Sequence, residues 1–375
     1  MVTVPKIIAL VLVTTLLLLG IPAVAFPAAE VRPPGGQAPE LTLDEVVERA
    51  LQTAASVEQA ELDVDKAWET RKAARGGYVK YAEMTFTGEM YVSVPGVGDP
   101  FFQFLSAHSG WNISKQKLEL TKDAVVLQAK INYFDVIKKK RQLETAQLAL
   151  EKAQNESRVA RARALVGMAS NAEVQAAASR LEQSASALEQ AKADLENAYR
   201  TLNKMIGYAP ETRPVLTTPI EFEKVEVASL ENKVVADLSP NNNPYLWIMK
   251  ENHEVSKYTW TYAAVKEAAR LDKDKTSLSY DDARKETRNK IYEMYDSLKS
   301  LEASYESALQ GVKAAEEGLR VVKAMYEVGM VTKSEVLDKE HLLSQAKDGL
   351  LEVKRLYAIT KETFEKPWLA VESAG

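Results

Sequence analysis

The 375-residue chain contains no cysteine, which excludes disulfides, zinc–thiolate sites, iron–sulfur clusters and lipid attachment at a cysteine. It has only 16 glycines and 14 prolines, too few for a collagen-like or linker-dominated chain, and the scarcity of turn residues argues against an all-β protein. Its three histidines are far apart in sequence, which argues against a histidine-based metal site. The 48 basic and 53 acidic residues are intermixed, so the chain has no basic footprint for nucleic acid.

Motifs of enzyme chemistry are also missing. The sequence contains no nucleophile elbow, Walker motif, dinucleotide fingerprint or metalloprotease motif. Its many carboxylates lie on amphipathic stretches, where a solvated helix face is their usual role. The sequence therefore predicts a protein that is not an enzyme and that has no catalytic, cofactor-binding or metal-binding residues.

The segment before Leu41 has the composition of a targeting segment and a linker. Lys6 is followed by an uncharged apolar run over residues 7–20 and then by small residues ending at Ala25. This pattern is typical of a secretory signal peptide, residues 1–25, cleaved after Ala25, although a retained anchor is the alternative. Residues 26–40 are rich in proline and glycine and predict an extended linker. We therefore expect an exported protein of the cell envelope.

Long helices dominate the rest of the chain. Residues 113–165 and 171–206 contain no proline and consist mainly of strong helix formers. At about 1.5 Å per residue they would reach roughly 80 and 54 Å, too long for a compact globule. Such helices must pack side by side as a coiled-coil-like bundle. At the start of the first helix, Thr42 and Glu45 have the spacing of a capping box.

An internal repeat organises these helices. Residues 158–174 align with residues 320–336 at an offset of 162 and are identical at eight positions without a gap. The starts of the repeats, 43–51 and 230–238, match at an offset of 187. The first repeat thus carries about 25 additional residues. We assign residues 41–225 to repeat 1 and residues 226–370 to repeat 2, so the predicted fold class is mainly α, with two tandem repeats of long antiparallel helices.

The additional residues of repeat 1 predict one β-hairpin near 82–113. Apolar residues alternate with polar ones over 82–94, residues 95–100 have turn composition, and a weaker alternation follows. A strand of about 9–11 residues with one apolar face can contact a membrane, whereas a hairpin packed on neighbouring helices is the alternative. We place the matching junction of repeat 2 in the polar stretch 271–281, which cannot supply two membrane strands. The predicted lipid-contacting residues are Met84, Phe86, Met90, Val92, Val94 and Trp111.

Three features carry a resemblance to a known family. They are the opening Leu41-Thr-Leu-Asp-Glu-Val-Val-Glu-Arg-Ala-Leu51, the pair Asn243-Pro244, and two turn motifs, Val166-Gly167-Met168 and Val328-Gly329-Met330, each followed by Glu-Val at the same distance. In these features residues 41–370 resemble the TolC-like outer-membrane efflux proteins. The resemblance implies a homotrimeric α-barrel in the periplasm that continues into an outer-membrane β-barrel and meets a periplasmic adaptor protein and an inner-membrane pump. Family members donate a hairpin from each repeat, so the single hairpin predicted here implies a reduced or missing β-barrel.

The two turn motifs supply the candidate site residues. Gly167 and Gly329 are expected to adopt positive φ in sharp helix–helix turns. Beside them, four exposed apolar residues predict a docking surface for a partner: Val166, Met168, Val328 and Met330. By resemblance, acidic residues at Glu173, Glu335 and Asp338 line the closed entrance of the tube, and Tyr326 joins the closing network. The alternative for Glu173 and Glu335 is a favourable charge at a helix N-terminus.

Two functions are compatible with these observations. The first is a conduit of an efflux or type I secretion system, exported to the outer membrane and periplasm. The second is a structural spacer of the cell envelope that has the same helical fold and no pore.

Overall fold

The computed structural model describes residues 39–86, 100–262 and 265–372. The predicted signal segment, residues 1–25, lies outside these ranges, as do Met90, Val92 and Val94. The described ranges contain nine helices and two short strands: β1 Glu40–Leu41, α1 Leu43–Thr53, α2 Ala55–Phe86, α3 Pro100–Leu165, α4 Asn171–Ile206, β2 Val215–Leu216, α5 Leu230–Asp237, α6 Pro244–Tyr262, α7 Lys266–Glu327, α8 Lys333–Glu365 and α9 Trp368–Glu372. None of the described helices is long and apolar enough to span a bilayer.

The predicted fold class, tandem repeats of long antiparallel helices, is confirmed. Helix α3 alone has 66 residues, which corresponds to about 99 Å of helix. It packs against α2, α4, α6 and α8, while α7 packs against α6 and α8. The predicted capping box at the start of α1 is also present, because the Thr42 hydroxyl accepts from the Glu45 N–H and the Glu45 carboxylate accepts from the Thr42 N–H.

The repeats correspond helix by helix, α1–α4 to α5–α8, and the largest difference in length is between α2 and α6. Helix α2 has 32 residues and α6 has 19, whereas α3 and α7 have 66 and 62. The additional residues of repeat 1 therefore lengthen mainly α2 and the segment that follows it.

The β-hairpin predicted near 82–113 is wrong wherever the structure describes it. Residues 82–86, including Met84 and Phe86, form the last turns of α2, and residues 100–113, including Trp111, begin α3. The physical reason is that Phe101, Phe104 and Trp111 also recur at helical spacing. In the helix they pack against aromatic residues of α2. The alternation of apolar and polar residues in the sequence did not reveal this stabilising contact.

The junction predicted at 271–281 in repeat 2 is wrong as well. Those residues lie inside α7, and the break between helices falls instead between Tyr262 and Lys266. Residues 271–281 are polar because they lie on an exposed helix, not because they form a turn.

The segment that connects α4 to α5, residues 207–229, is held by one tyrosine from each repeat. Strand β1 pairs in parallel with β2, Glu40 opposite Val215 and Leu41 opposite Leu216. The hydroxyl of the buried Tyr133 on α3 accepts from the Thr218 N–H at 2.9 Å. Tyr357 on α8 likewise accepts from the Val225 N–H at 2.8 Å. Each tyrosine lies in a separate apolar core, one per repeat.

The repeats meet along α3 and α8, which run antiparallel. Ion pairs join α3 to α8 and to Lys366, which directly follows α8. Along the contact the residue number on the α8 side falls as the number on α3 rises: Asp123–Lys366, Lys130–Glu362, Lys138–Glu352, Arg141–Asp348 and Lys152–Asp338. We call this contact the α3–α8 seam. Its charged side chains are mostly half-buried, so the register between the repeats is fixed by charge as well as by packing.

Candidate functional site

The turns that join α3 to α4 and α7 to α8 have the same structure. Gly167 and Gly329 both have φ of 75°, the left-handed conformation expected from the sequence. In the first turn the Met168 N–H donates to the Arg163 carbonyl at 2.9 Å, and in the second the Met330 N–H donates to the Met325 carbonyl at 2.9 Å. The internal repeat thus extends to the backbone geometry of these two tips.

Both tips expose apolar side chains at the same end of the molecule. The exposed fractions are 69% for Val166, 77% for Met168, 71% for Val328 and 74% for Met330. A cavity of about 520 Å³ lies between them and is lined by Met168 of the first tip and Thr332 to Ser334 after the second. The structure therefore leaves all four predicted docking residues exposed near one end of the chain, which is unusual for a chain that functions alone.

Glu173 and Glu335 both complete capping boxes. The Ser170 N–H donates to the Glu173 carboxylate at 2.6 Å, and the Thr332 N–H donates to Glu335 at 3.4 Å. The backbone hydrogen bond from Ser170 is the main cause that lowers the pKa of Glu173. The helix N-terminal alternative thus has direct structural support within one chain.

Asp338 and Tyr326 lie in different surroundings. Asp338 is one turn into α8 and pairs with Lys152 of α3 at 2.9 Å, so its carboxylate belongs to the α3–α8 seam. Tyr326, at the end of α7, is 46% exposed. Within the described structure no hydrogen bond or ion pair joins the four predicted entrance residues to one another, and a ring of them requires further copies.

His341, near Asp338, is not among the site residues predicted from the sequence. His341 follows Asp338 by one helical turn, and in the described structure its Nδ1 is buried without a hydrogen-bond partner. Burial, and after it the charge of Lys152, lowers the pKa of His341. Nothing in the sequence around His341 indicates this environment, because Lys152 comes from the other repeat.

The far end of the α2–α3 pair holds the remaining predicted residue, Trp111. Its ring packs against Trp68 of α2, with centroids 5.0 Å apart. The opposite face of the same helix pair carries a groove of about 640 Å³ lined mainly by small residues, among them Ala60, Ala67, Ala107, Gly110 and Ser114. Trp111 is therefore half-buried in a helical aromatic cluster rather than on a strand.

Comparison with solved structures identifies the fold. The chain is similar to the CmeC outer membrane channel of Campylobacter jejuni, with 14% identity, a TM-score of 0.64, and 86% of this chain and 85% of that chain covered. A membrane protein from Pseudomonas aeruginosa gives 13% identity and a TM-score of 0.65 over 88% and 90% of the two chains. The open MtrE outer membrane channel of Neisseria gonorrhoeae gives 14% and 0.55 over 86% and 88%.

No protein-family model matches the sequence, and no curated protein matches it. The structural matches nevertheless cover most of each chain, and the neighbours named as channels are outer-membrane channels. The resemblance inferred from the turn motifs is therefore confirmed at the level of fold: the chain has the fold of the TolC-like outer-membrane efflux channels.

Proposed function

We propose that the chain is the tubular conduit of an efflux or type I secretion system, that it works as a homotrimer in the cell envelope, and that it meets an adaptor protein and its inner-membrane pump through the tips. One observation carries the proposal: two geometrically equal turns expose Val166, Met168, Val328 and Met330 at one end. Equal apolar tips suit a ring of helical hairpins that meets a ring of partner hairpins.

The lateral edges of the chain support assembly with further copies. Leu62 on α2 is 60% exposed, and Leu271 and Leu278 on α7 are 55% and 65% exposed. The two leucines of α7 lie one heptad apart, on the side away from the buried Ala283 and Ile291. Helix α2 packs mainly on α3, and α7 packs mainly on α6 and α8, so these leucines are on faces that the described helices leave exposed.

The edges also match in height. The contact between Trp68 and Trp111 shows which residues of α2 and α3 lie at the same height along the bundle. The repeat offset of 162 residues then gives the α7 residue that corresponds to each α3 residue. On this scale Leu62 is level with Leu278, Glu58 is about level with Lys285, and Lys66 is level with Asp274. In the proposed trimer, an acidic, an apolar and a basic residue on α2 would face a basic, an apolar and an acidic residue on the α7 of a second copy.

Engineered cysteines test this assembly without background, because the chain has no cysteine of its own. The variant Leu62→Cys/Leu278→Cys should oxidise to a covalent ladder that ends at the trimer, since a disulfide needs Cα atoms within about 7 Å. The matched control, Leu62→Cys/Tyr292→Cys, uses another exposed α7 residue about four turns away and should stay uncrosslinked. A monomer, or equal crosslinking of both variants, would contradict the proposal.

Docking is tested at the tips themselves. Gly167→Pro or Gly329→Pro cannot adopt the φ of 75°, because the proline ring holds φ in the negative range. We expect each variant to lose transport and adaptor binding while it keeps its helicity, since no described atom beyond the neighbouring residues lies within 4 Å of a Cβ at either position. Full transport by both variants would show that the tips are not the docking end.

We also propose that Glu173, Glu335 and Asp338 form a ring of negative charge at the entrance of the trimer, closed with Tyr326. Glutamine preserves a capping box, so Glu173→Gln and Glu335→Gln, with Asp338→Asn, remove charge without removing the caps. Carboxylate rings favour cations, and the variant channel should lose cation preference in planar bilayers. Unchanged selectivity in an intact trimer would mean that these residues act only as caps and in the seam.

The spacer alternative has one observation in its favour. The described residues of the segment predicted to contact lipid, Met84, Phe86 and Trp111 among them, are helical. Conductance of the purified trimer in planar bilayers separates the two functions. A conduit gives discrete openings, whereas a spacer gives none although it still crosslinks through Leu62→Cys and Leu278→Cys.

A further inference from the structure

The far end of the α2–α3 pair has a charge and aromatic content unlike the rest of the chain. Residues 66–79 and 100–118, which we call the α2–α3 end, contain six basic residues and one acidic residue. They also contain six aromatic residues. The whole chain, by contrast, has a net charge of −5. A combination of basic and aromatic side chains is typical of surfaces that meet a lipid headgroup region.

These residues are gathered on one face of the helix pair. On α3, Phe101, Phe104, His108, Trp111 and Lys115 recur every three or four residues, as do Trp68, Arg71, Arg75 and Tyr78 on α2. Across the pair, the Tyr78 ring lies 5.6 Å from Phe101 and 5.9 Å from Phe104. This aromatic–basic face is opposite the small-residue groove. One face of the helix pair therefore carries aromatic and cationic side chains, whereas the other carries small side chains and almost no net charge.

Arg71 contacts several members of this face, and no described carboxylate pairs with it. Its guanidinium carbon lies 4.8 Å from the ring centre of Trp68 and 4.9 Å from that of Trp111. Its Nε donates to His108 Nδ1 at 2.8 Å. Such contacts fix the position of the guanidinium while leaving its charge uncompensated.

Most of the neighbouring cationic side chains also form no ion pair with a described carboxylate. Lys115 Nζ lies 3.7 Å from the ring centre of Trp111, and Arg75 is exposed. Among the side chains that the structure describes, no carboxylate is in ion-pair distance of Arg71, Arg75 or Lys115, and only Lys72 pairs, with Glu69 at 2.9 Å. Four cations thus lie on one face with a single compensating charge.

Two comparisons within the chain show that this pattern is local. The next part of α2 towards the tips, residues 55–65, has four acidic residues and no basic one. The corresponding end of repeat 2, residues 250–262 and 266–280, has six basic residues but five acidic ones. There Lys273 lies 4.3 Å from the Trp260 ring centre, a contact like that of Lys115, but carboxylates surround it.

We propose that the aromatic–basic face of the α2–α3 end binds an anionic lipid surface, with the exposed rims of Trp68 and Phe101 at headgroup depth and Arg71, Lys72, Arg75 and Lys115 among the phosphates. Trp68 and Phe101 are 39% and 37% exposed, so part of each ring is available to lipid. The proposal deepens the envelope function above by naming the chemistry of its membrane partner.

Vesicle binding tests the proposal with the protein as isolated from the envelope. It should sediment with vesicles of phosphatidylcholine mixed with phosphatidylglycerol and much less with phosphatidylcholine alone, and high salt should release it. The variant Lys72→Gln/Arg75→Gln/Lys115→Gln leaves Arg71 and the aromatic packing in place. Because each surface cation contributes about fivefold in affinity, we expect a loss on the order of a hundredfold.

The matched control removes the same charge from repeat 2. Lys257→Gln/Arg270→Gln/Lys273→Gln should bind the mixed vesicles like the unaltered protein, and helicity should be equal in all three proteins. A second variant, Trp68→Ala, should lose part of the binding with its cations intact.

Several results would overturn the proposal. Equal binding to neutral and mixed vesicles would indicate an apolar anchor elsewhere in the chain. Equal losses in the two triple variants would indicate only overall charge, and absence of vesicle binding would exclude the surface. If the first triple variant changed the oligomeric state but not vesicle binding, the face would belong to a contact between copies. Crosslinking of Leu62→Cys/Leu278→Cys in solution needs no lipid, so the proposed conduit can stand where this inference fails.

Discussion

The turn between α3 and α4 and the turn between α7 and α8 share glycine φ, backbone hydrogen bonds and exposed valine and methionine. At the opposite end the two repeats differ in the length of α2 and α6, in charge and in aromatic content. The comparison therefore separates the tip end of the chain, where the two repeats have the same structure, from the opposite end, where they differ.

The largest effect is expected in the middle of the repeats, where the sequence aligns Tyr133 with Tyr295. The Tyr133 hydroxyl accepts a hydrogen bond from the Thr218 N–H, whereas in the described structure the Tyr295 hydroxyl makes no hydrogen bond. Tyr133→Phe should lower the free energy of unfolding by about 2 kcal/mol, since a part-buried donor is left unpaired. Tyr295→Phe should change it little. Urea unfolding followed by circular dichroism measures both, and equal losses would mean that the repeats are equivalent here too.

A smaller and equal effect is expected at the two tips. Alanine at Gly167 or Gly329 must adopt positive φ, which costs about 1 kcal/mol, and no described atom beyond the chain neighbours lies within 4 Å of the added Cβ. Gly207→Ala is the control with the same φ sign, because its Cβ would lie 3.1 Å from Thr53 Cγ2. That variant should lose more stability than either tip variant. Unequal losses at the tips would break the equivalence proposed for them.

The seam near the tips should contribute less. Asp338→Ala removes the ion pair with Lys152. Repeat 1 has no such pair, because the residue that corresponds to Asp338 is Ala176. Because the Asp338 side chain is 46% exposed, we expect a loss of only about 0.5 kcal/mol, and salt should reduce it. A loss that persists in high salt would show that the seam acts by packing rather than by charge.

The smallest effect is a dependence on pH that only repeat 2 should show. Burial lowers the pKa of His341 in the folded chain, so the unfolded chain binds a proton first as the pH falls. Stability is then unaffected above the ordinary histidine range, decreases as the pH falls through it, and levels off below the lowered pKa. His341→Gln should lose less stability between about pH 7.5 and pH 5.5 than the unaltered protein. Ser179, the corresponding residue of repeat 1, has nothing to titrate, and equal pH slopes would show that His341 does not contribute.

Local chemistry made much of this fold predictable from the sequence. The capping box of Thr42 and Glu45 and the positive φ of Gly167 and Gly329 each depend on a few neighbouring residues. The long proline-free stretches likewise predicted α3 and α4 with their correct ends at the tips. Repeated motifs then placed these elements in the correct order.

The errors arose where local pattern and tertiary packing disagree. The turns of 100–113 read as a weak strand because apolar residues are frequent there, and only contact with α2 shows which ones face inward. The break between α6 and α7 contains no glycine or proline to mark it. The environment of His341 and the pairing of Asp338 depend on α3 side chains that belong to the other repeat, which no single stretch of sequence contains.

The α3–α8 seam has a mechanical consequence. A shift of α8 along α3 by one helical turn, about 5.4 Å, would separate all five of its ion pairs at once, because the pairs share one register. Tilting the two helices apart near the tips, by contrast, would strain the Lys152–Asp338 pair first and leave the distant Asp123–Lys366 pair closed. The chain should therefore resist sliding of α8 along α3 while it allows the two helices to separate near the tips, so that its length stays constant when the tips move apart.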